Sequence, residues 1–172
     1  EPPAAAKHCI RLDPGLAFGT GTHPTTRMCL RWIARNVDAA NPPARVLDYG
    51  CGSGILAIGA AKFGAKDIVA VDIDPAAVES TVVNAVANEV KLNAGLPDKA
   101  EGEYDVVLAN ILATPLKVLA PLLCSHVKAG GSLVMAGILE RQEDELKAAY
   151  APWVQLEVSD REDGWILMTA RR

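Results

Sequence analysis

A chain of 172 residues, 50% of them hydrophobic, suffices for one compact domain with a packed core and is too short to require two. A net charge of −4 with no Lys/Arg-rich run argues against direct binding to nucleic acid. The 4 cysteines form no CxxC pair and the 3 histidines lie at no ligand-like spacing, which argues against a metal site and a disulfide framework. No apolar run approaches the ~20 residues of a membrane span and no signal segment opens the chain, so membrane contact is not expected and a cytoplasmic location is.

Residues 1–24 read as linker and loop, and 25–172 as the folded domain. Glu1 in place of Met, followed by Pro2-Pro3-Ala4-Ala5-Ala6, predicts that another domain precedes this one. From Asp13 to Thr26, DPGLAFGTGTHPTT is dense in turn formers and hydroxyl caps and predicts a loop. A helix follows from Thr25 to Asn36, with Met28, Cys29, Trp32 and Ile33 on its apolar stripe and Arg27, Arg31 and Arg35 on an exposed face. Arg45–Tyr49 is a strand running into the glycine turn Gly50–Gly54, and Ile55–Phe63 is a helix stopped at Gly64.

Ile68–Asp72 is the second strand, and Asp74-Pro75 caps a helix reaching Asn88. A weaker strand at Val90–Leu96 precedes the apolar run Tyr104–Asn110, which suits a strand buried on both faces. Thr114-Pro115 predicts a helix to Val127, Gly130-Gly131 turns the chain into strand Ser132–Gly137, and Glu140–Tyr150 is a helix. Val154–Val158 and Trp165–Ala170 then form a hairpin around Asp163-Gly164. The alternation implies a Rossmann-like, doubly wound, mostly parallel sheet of seven strands with an antiparallel C-terminal hairpin. Ligands of such sheets bind beyond the carboxyl ends of the strands where strand order reverses, which predicts that Asp48–Gly54, Asp72 and Asn110 converge.

Gly50, Gly52 and Gly54 clear side chains where backbone must turn, approach a ligand and open a helix N-terminus; the alternative is a purely structural turn. Asp72, 22 residues after Gly50, stands where an acid accepts hydrogen bonds from ribose hydroxyls, and Asp74 already fills the helix-cap role. Nicotinamide dinucleotides and S-adenosylmethionine share this layout. Here the third glycine comes one position earlier than in GxGxxG, and Asp48 precedes the first glycine by two. A carboxylate there opposes a pyrophosphate and suits the ammonium and sulfonium charges of S-adenosylmethionine; the alternative is an Asp48 bonded only to loop amides. There is no GxxxxGK run and no Ser/His/Asp set, and His23 and His126 read as structural.

The runs LDPGLAFGTGTHPTT, VLDYGCGSGILAIGAAK, VDIDP and NILA together resemble the ribosomal protein L11 methyltransferase family across nearly the whole chain. The resemblance implies the class I methyltransferase fold, S-adenosylmethionine as cofactor, and contacts to it from Thr26, Gly50, Asp72 and Asn110. Gly52 and Asp48 join that set from the turn, and Phe18 is a candidate lining residue. It also implies methyl transfer to lysine side chains and an N-terminal α-amine of a basic large-subunit ribosomal protein, recognised by a preceding domain.

No catalytic base is visible, and Asn110 with the carbonyls of the Asn110-Ile111-Leu112 turn would orient the amine by proximity, its alternative being a strand-end cap. Ile111-Leu112-Ala113 offers no flat face for an extruded base, which disfavours nucleobase methylation. The alternatives are another amine acceptor, a nicotinamide-dependent oxidoreductase that would have no use for Asp48, and a non-catalytic binding module.

Overall fold

The computed structural model describes residues 9–12, 22–37 and 44–172. In chain order they form α1 (Pro24–Asn36), β1 (Arg45–Tyr49), α2 (Ile55–Lys62), β2 (Asp67–Val71), α3 (Pro75–Ala87), β3 (Asn93–Gly95), β4 (Tyr104–Asn110), α4 (Ala113–Val118), α5 (Ala120–Ser125), β5 (Val127–Leu139), α6 (Glu143–Tyr150), β6 (Glu157–Glu162) and β7 (Trp165–Arg171). One sheet runs in the order β3-β2-β1-β4-β5-β7-β6, with β7 antiparallel to both its neighbours and every other pairing parallel. Strand order reverses between β1 and β4, where a doubly wound sheet opens a crevice at its carboxyl edge.

Strand alternation sends side chains to two separate apolar layers. Leu47, Val69, Val107 and Leu133 face one way with Leu116, Leu123, Leu146 and Tyr150 of the α4–α6 side. Val46, Ile68, Leu108 and Val134 face the other way with Met28, Cys29 and Ile33 of α1 and Leu56, Ala57 and Ala60 of α2. Both faces are covered, which is why β1, β2 and β4 read as continuous apolar runs.

The structure departs from the expected elements in several places, among them β5, which starts at Val127 and runs through Gly130-Gly131 instead of starting at Ser132 after a turn there. The helix expected from Thr114 to Val127 is two, because Pro121 lacks an N–H and crowds the carbonyl of Lys117, breaking the ladder at Leu119; Leu112, not Thr114, occupies the cap position. The strand expected over Val90–Leu96 pairs only at Asn93–Gly95. The first hairpin strand lies at Glu157–Glu162 rather than Val154–Val158: Val154 and Leu156 are buried in the core before the ladder begins, and Asp163-Gly164, at φ 51° and 82°, make the two-residue turn. The arginine face of α1 is not free, since Arg27 Nε lies 3.2 Å from Glu162 Oε1 and Arg31 Nη2 3.0 Å from Asp160 Oδ2, docking the hairpin on the helix.

Tyr150 is fully buried and donates its hydroxyl to the Leu116 carbonyl at 2.6 Å, linking α6 to α4, while burial pushes the phenol pKa up. Tyr150→Phe is expected to lower the unfolding free energy by about 1 kcal/mol in urea titration, the usual net value of one buried hydrogen bond. An unchanged midpoint would show that the bond adds nothing to stability.

Candidate functional site

The turn after β1 is fastened to the end of β2. Gly50 and Cys51 both donate their N–H to the Val71 carbonyl, at 2.8 and 2.9 Å. Gly50 sits at φ +84°, and a Cβ there would lie 2.7 Å from Ile111 Cγ2, so this turn and the exit of β4 are in direct contact. Gly54, at φ +86°, is the residue from which α2 starts, and a Cβ on it would stand 2.9 Å from Thr81 Cγ2. Both positions need the left-handed conformation and the absent side chain together.

Asp72 follows β2 and divides its carboxylate between two loops: Oδ2 accepts from the Gly52 N–H and Oδ1 from the Asp74 N–H, both at 3.0 Å. Each oxygen keeps a further lone pair for a ligand donor. Asp74 caps α3 by accepting from the Ala76 N–H at 2.9 Å, as its sequence position predicts. Asp48 is 1% exposed, facing the α1 and α2 layer from β1, and its Oδ2 accepts from the Ala57 N–H at 3.2 Å. Burial pushes its pKa up to about 7, the Ala57 amide pulls it down, and the Asp72 charge adds to the rise. The Cys51 thiol within the turn is pushed up to about 12, mainly by burial.

Asn110 ends β4 and donates from Nδ2 to Thr26 Oγ1 at 3.4 Å, and Thr26 is buried on α1. His23 caps that helix, its Nδ1 accepting from the Thr25 N–H at 3.3 Å, and its ring meets Trp165 edge-on with centroids 5.1 Å apart. His126 binds the Gly102 carbonyl through Nδ1 at 2.7 Å, outside this region. Asp48, Gly50, Gly52 and Asp72 therefore lie at one end of the sheet with Thr26 and Asn110, as the topology predicts. Phe18 and the rest of the Gly/Thr loop before Thr22 lie outside the described residues.

Sequence reasoning missed the brace behind the turn. Thr81 donates Oγ1–H to the Gly52 carbonyl at 3.0 Å, Asn84 donates to the Ser53 carbonyl at 2.8 Å, and Asn88 brackets Arg11 through its N–H (2.7 Å) and carbonyl (2.6 Å). The signal was present: polar side chains at three-, four- and seven-residue spacing on the inward face of α3, where apolar ones belong. Among the described residues no His/Cys/Asp/Glu group is placed to hold a metal ion, and no helix is long and apolar enough to cross a membrane.

A parallel sheet ordered 3-2-1-4-5-7-6 with its seventh strand reversed, and a glycine turn between two aspartates at the switch point, define a class I methyltransferase fold. Within it, the chain belongs to the ribosomal protein L11 methyltransferase (PrmA) family, whose model matches residues 1–172. It is 80% identical over 171 residues to the ribosomal protein L11 methyltransferase of Polaromonas sp., covering 99% of this chain and 57% of that one. It is 59% identical over 169 residues to that of Bordetella parapertussis, covering 96% and 54%. The crystal structure of a ribosomal protein L11 methylase from Lactobacillus delbrueckii subsp. bulgaricus superimposes with a TM-score of 0.85 at 38% identity, covering 95% of this chain and 84% of that one. The chain spans about half the length of the curated relatives it matches.

Thr81→Val keeps the shape of the side chain and removes the hydroxyl that holds the Gly52 carbonyl. It is expected to destabilise the fold by about 1–2 kcal/mol in urea, the cost of a buried acceptor left without its donor. A wild-type unfolding curve would show that the turn holds itself.

Proposed function

We propose that this chain binds S-adenosylmethionine and transfers its methyl group to amino groups of a large-subunit ribosomal protein, at lysine side chains and the N-terminal α-amine. The observation that carries the reading is the Asp72 carboxylate, fixed by the Gly52 and Asp74 amides beside a turn with glycine at 50, 52 and 54, with family membership supplying the reaction class. The residues present fit the cofactor. Asp72 has acceptor capacity left for a ribose diol, Gly50 and Gly52 offer backbone for close approach, and Asp48 supplies a carboxyl group beneath the turn to balance cationic groups. Thr26 and Asn110 face the same end of the sheet from α1 and β4, and Phe18 is included as a lining residue.

When bound, the cofactor supplies a methyl group activated by a positively charged sulfur. The residues orient and desolvate the acceptor. Free lysine has a pKa near 10.4, so the attacking amine must shed its proton, and transfer into an apolar rim disfavours the charged form. Leu112, 65% exposed just past Asn110, offers such a rim. The net charge of −4 complements a basic ribosomal protein, and that acceptor puts the reaction in the cytoplasm. The Asp48 carboxyl beneath the turn disfavours a dinucleotide, whose pyrophosphate its charge would repel.

Calorimetric titration with S-adenosylhomocysteine is expected to show binding, and a parallel titration with NADH none; NADH binding alone would overturn the reading. Asp72→Ala is expected to weaken S-adenosylhomocysteine binding by roughly 1.5–3 kcal/mol, the range for hydrogen bonds to a charged group. Unchanged affinity would remove Asp72 from the site.

Asp48 also sets a pH dependence. Its folded pKa of about 7 stands above the ordinary value of 3.8, so burial favours the protonated form; its contribution to stability is complete below pH 3.8 and is lost as pH rises through about 7. A cationic cofactor favours the carboxylate and expels that proton. Affinity for S-adenosylmethionine is therefore expected to rise from about pH 6 to about pH 8 with proton release seen by calorimetry in two buffers, and Asp48→Asn to flatten the profile. A pH-independent wild-type affinity would show that Asp48 does not titrate with binding.

A further inference from the structure

The exit of β4 rests on two glycines, one in the turn after β1 and one on β5. On one side Ile111 Cγ2 packs where a Gly50 side chain would be, at 2.7 Å. On the other side lies Gly137, on β5. The ladder between β4 and β5 runs in register as far as Asn110 and Ala136, so Ile111 and Gly137 are the next positions on each strand. There Gly137 adopts φ +89°, and the register of β5 against β7 shifts between Met135 and Ile138. A Cβ on Gly137 would fall against the Ile111 carbonyl oxygen and 2.6 Å from its carbonyl carbon. These are backbone atoms, and no side-chain rotation relieves that overlap.

We infer that Gly137 is a positioning residue for the methyl acceptor: it admits the Ile111 peptide and so fixes where Asn110 presents its amide oxygen to the incoming amine. Asn110 Nδ2 is committed to Thr26, which turns the amide so that Oδ1 takes no hydrogen bond from the described residues. That oxygen is the group available to an amine donor at the end of β4. Its location depends on the peptide that follows it, and that peptide lies between Gly50 and Gly137. The glycine on the Gly50 side also floors the cofactor turn, whereas the atoms nearest a Cβ at Gly137 all belong to Ile111 at the β4 exit. A side chain at 137 therefore acts first on the Ile111 peptide, and through it on Asn110.

The inference rests on the cofactor-site reading above, and its test separates the two. S-adenosylhomocysteine carries no group at the position of the methyl group and its acceptor. Sinefungin, in which a carbon bearing an amine replaces the methylated sulfur, places an ammonium where the methyl group and its acceptor meet. For Gly137→Ala, calorimetry is expected to show S-adenosylhomocysteine affinity within about twofold of wild type and sinefungin affinity reduced roughly tenfold, the size of one lost hydrogen bond to a charged group. Equal losses for both ligands, or none for either, would overturn the inference; failure of the wild-type chain to bind S-adenosylhomocysteine would instead overturn the cofactor-site reading. If Gly137→Ala does not fold, Ile111→Ala carries the test by loosening the same peptide from its other side. It is expected to lower sinefungin affinity at least threefold more than that of S-adenosylhomocysteine, about 0.65 kcal/mol, and an unchanged ratio would overturn the inference.

Discussion

Three amide hydrogens hold the crevice together: those of Gly50 and Cys51 on the Val71 carbonyl, and that of Gly52 on the Asp72 carboxylate. They bend the chain leaving β1 toward the end of β2, and this bend sets the direction in which α2 departs. Because β1 lies between β2 and β4, the same turn also presents Gly50 to Ile111 at the exit of β4. A single loop thus fixes the relative placement of one carboxylate, one Cβ-free floor and one strand exit. α3 answers from behind, where Thr81 and Asn84 donate to the Gly52 and Ser53 carbonyls that the bend turns inward.

Asp48 is the counterweight to this order. A carboxyl group one residue before the end of β1 points into the layer formed by α1 and α2, among Val46, Leu108 and Ala57, with one amide hydrogen bond to offset its desolvation. An apolar residue would pack there at lower cost, since burial without full pairing is unfavourable for a charged group. The group escapes most of that cost by holding its proton, and it becomes a strong partner for a cation only when one arrives. Stability is given up at a position where charge is useful to binding, a common pattern at functional sites.

The regular βα units were legible because periodicity, caps and glycine turns all report local geometry, and β1 to α3 lie within a residue or two of their expected bounds. The convergence of Asp48, Gly50, Gly52, Asp72 and Asn110 was legible too, since topology alone brings strand ends to a switch point. Less legible were features that depend on what lies across the fold. Pro121 breaks a helix whose apolar spacing continues through it, and Val154 and Leu156 bury without joining a ladder, so a hydrophobic pattern placed the hairpin strand too early. Arg27 and Arg31 of α1 look solvated in sequence and find their acids on β6 more than a hundred residues later. Gly137 looks like one more small residue in a strand until Ile111 is placed beside it.

Each ion pair between α1 and the hairpin is half-exposed, and pairs of that kind contribute little singly. Their placement matters more than their strength. Arg27 and Arg31 grip Glu162 and Asp160 on the helix that carries Thr26, and His23 at its start meets Trp165 at the start of β7. Thr26 in turn receives the Asn110 amide. The last two strands of the chain, which supply no site residue themselves, thereby set the position of the first helix, and through it the rotation of the asparagine at the strand exit. The two sides of the crevice are then held by different means: the cofactor side by backbone amides on carboxylate and carbonyl oxygens, the acceptor side by packing against absent side chains and by a helix clamped from the far end of the sequence.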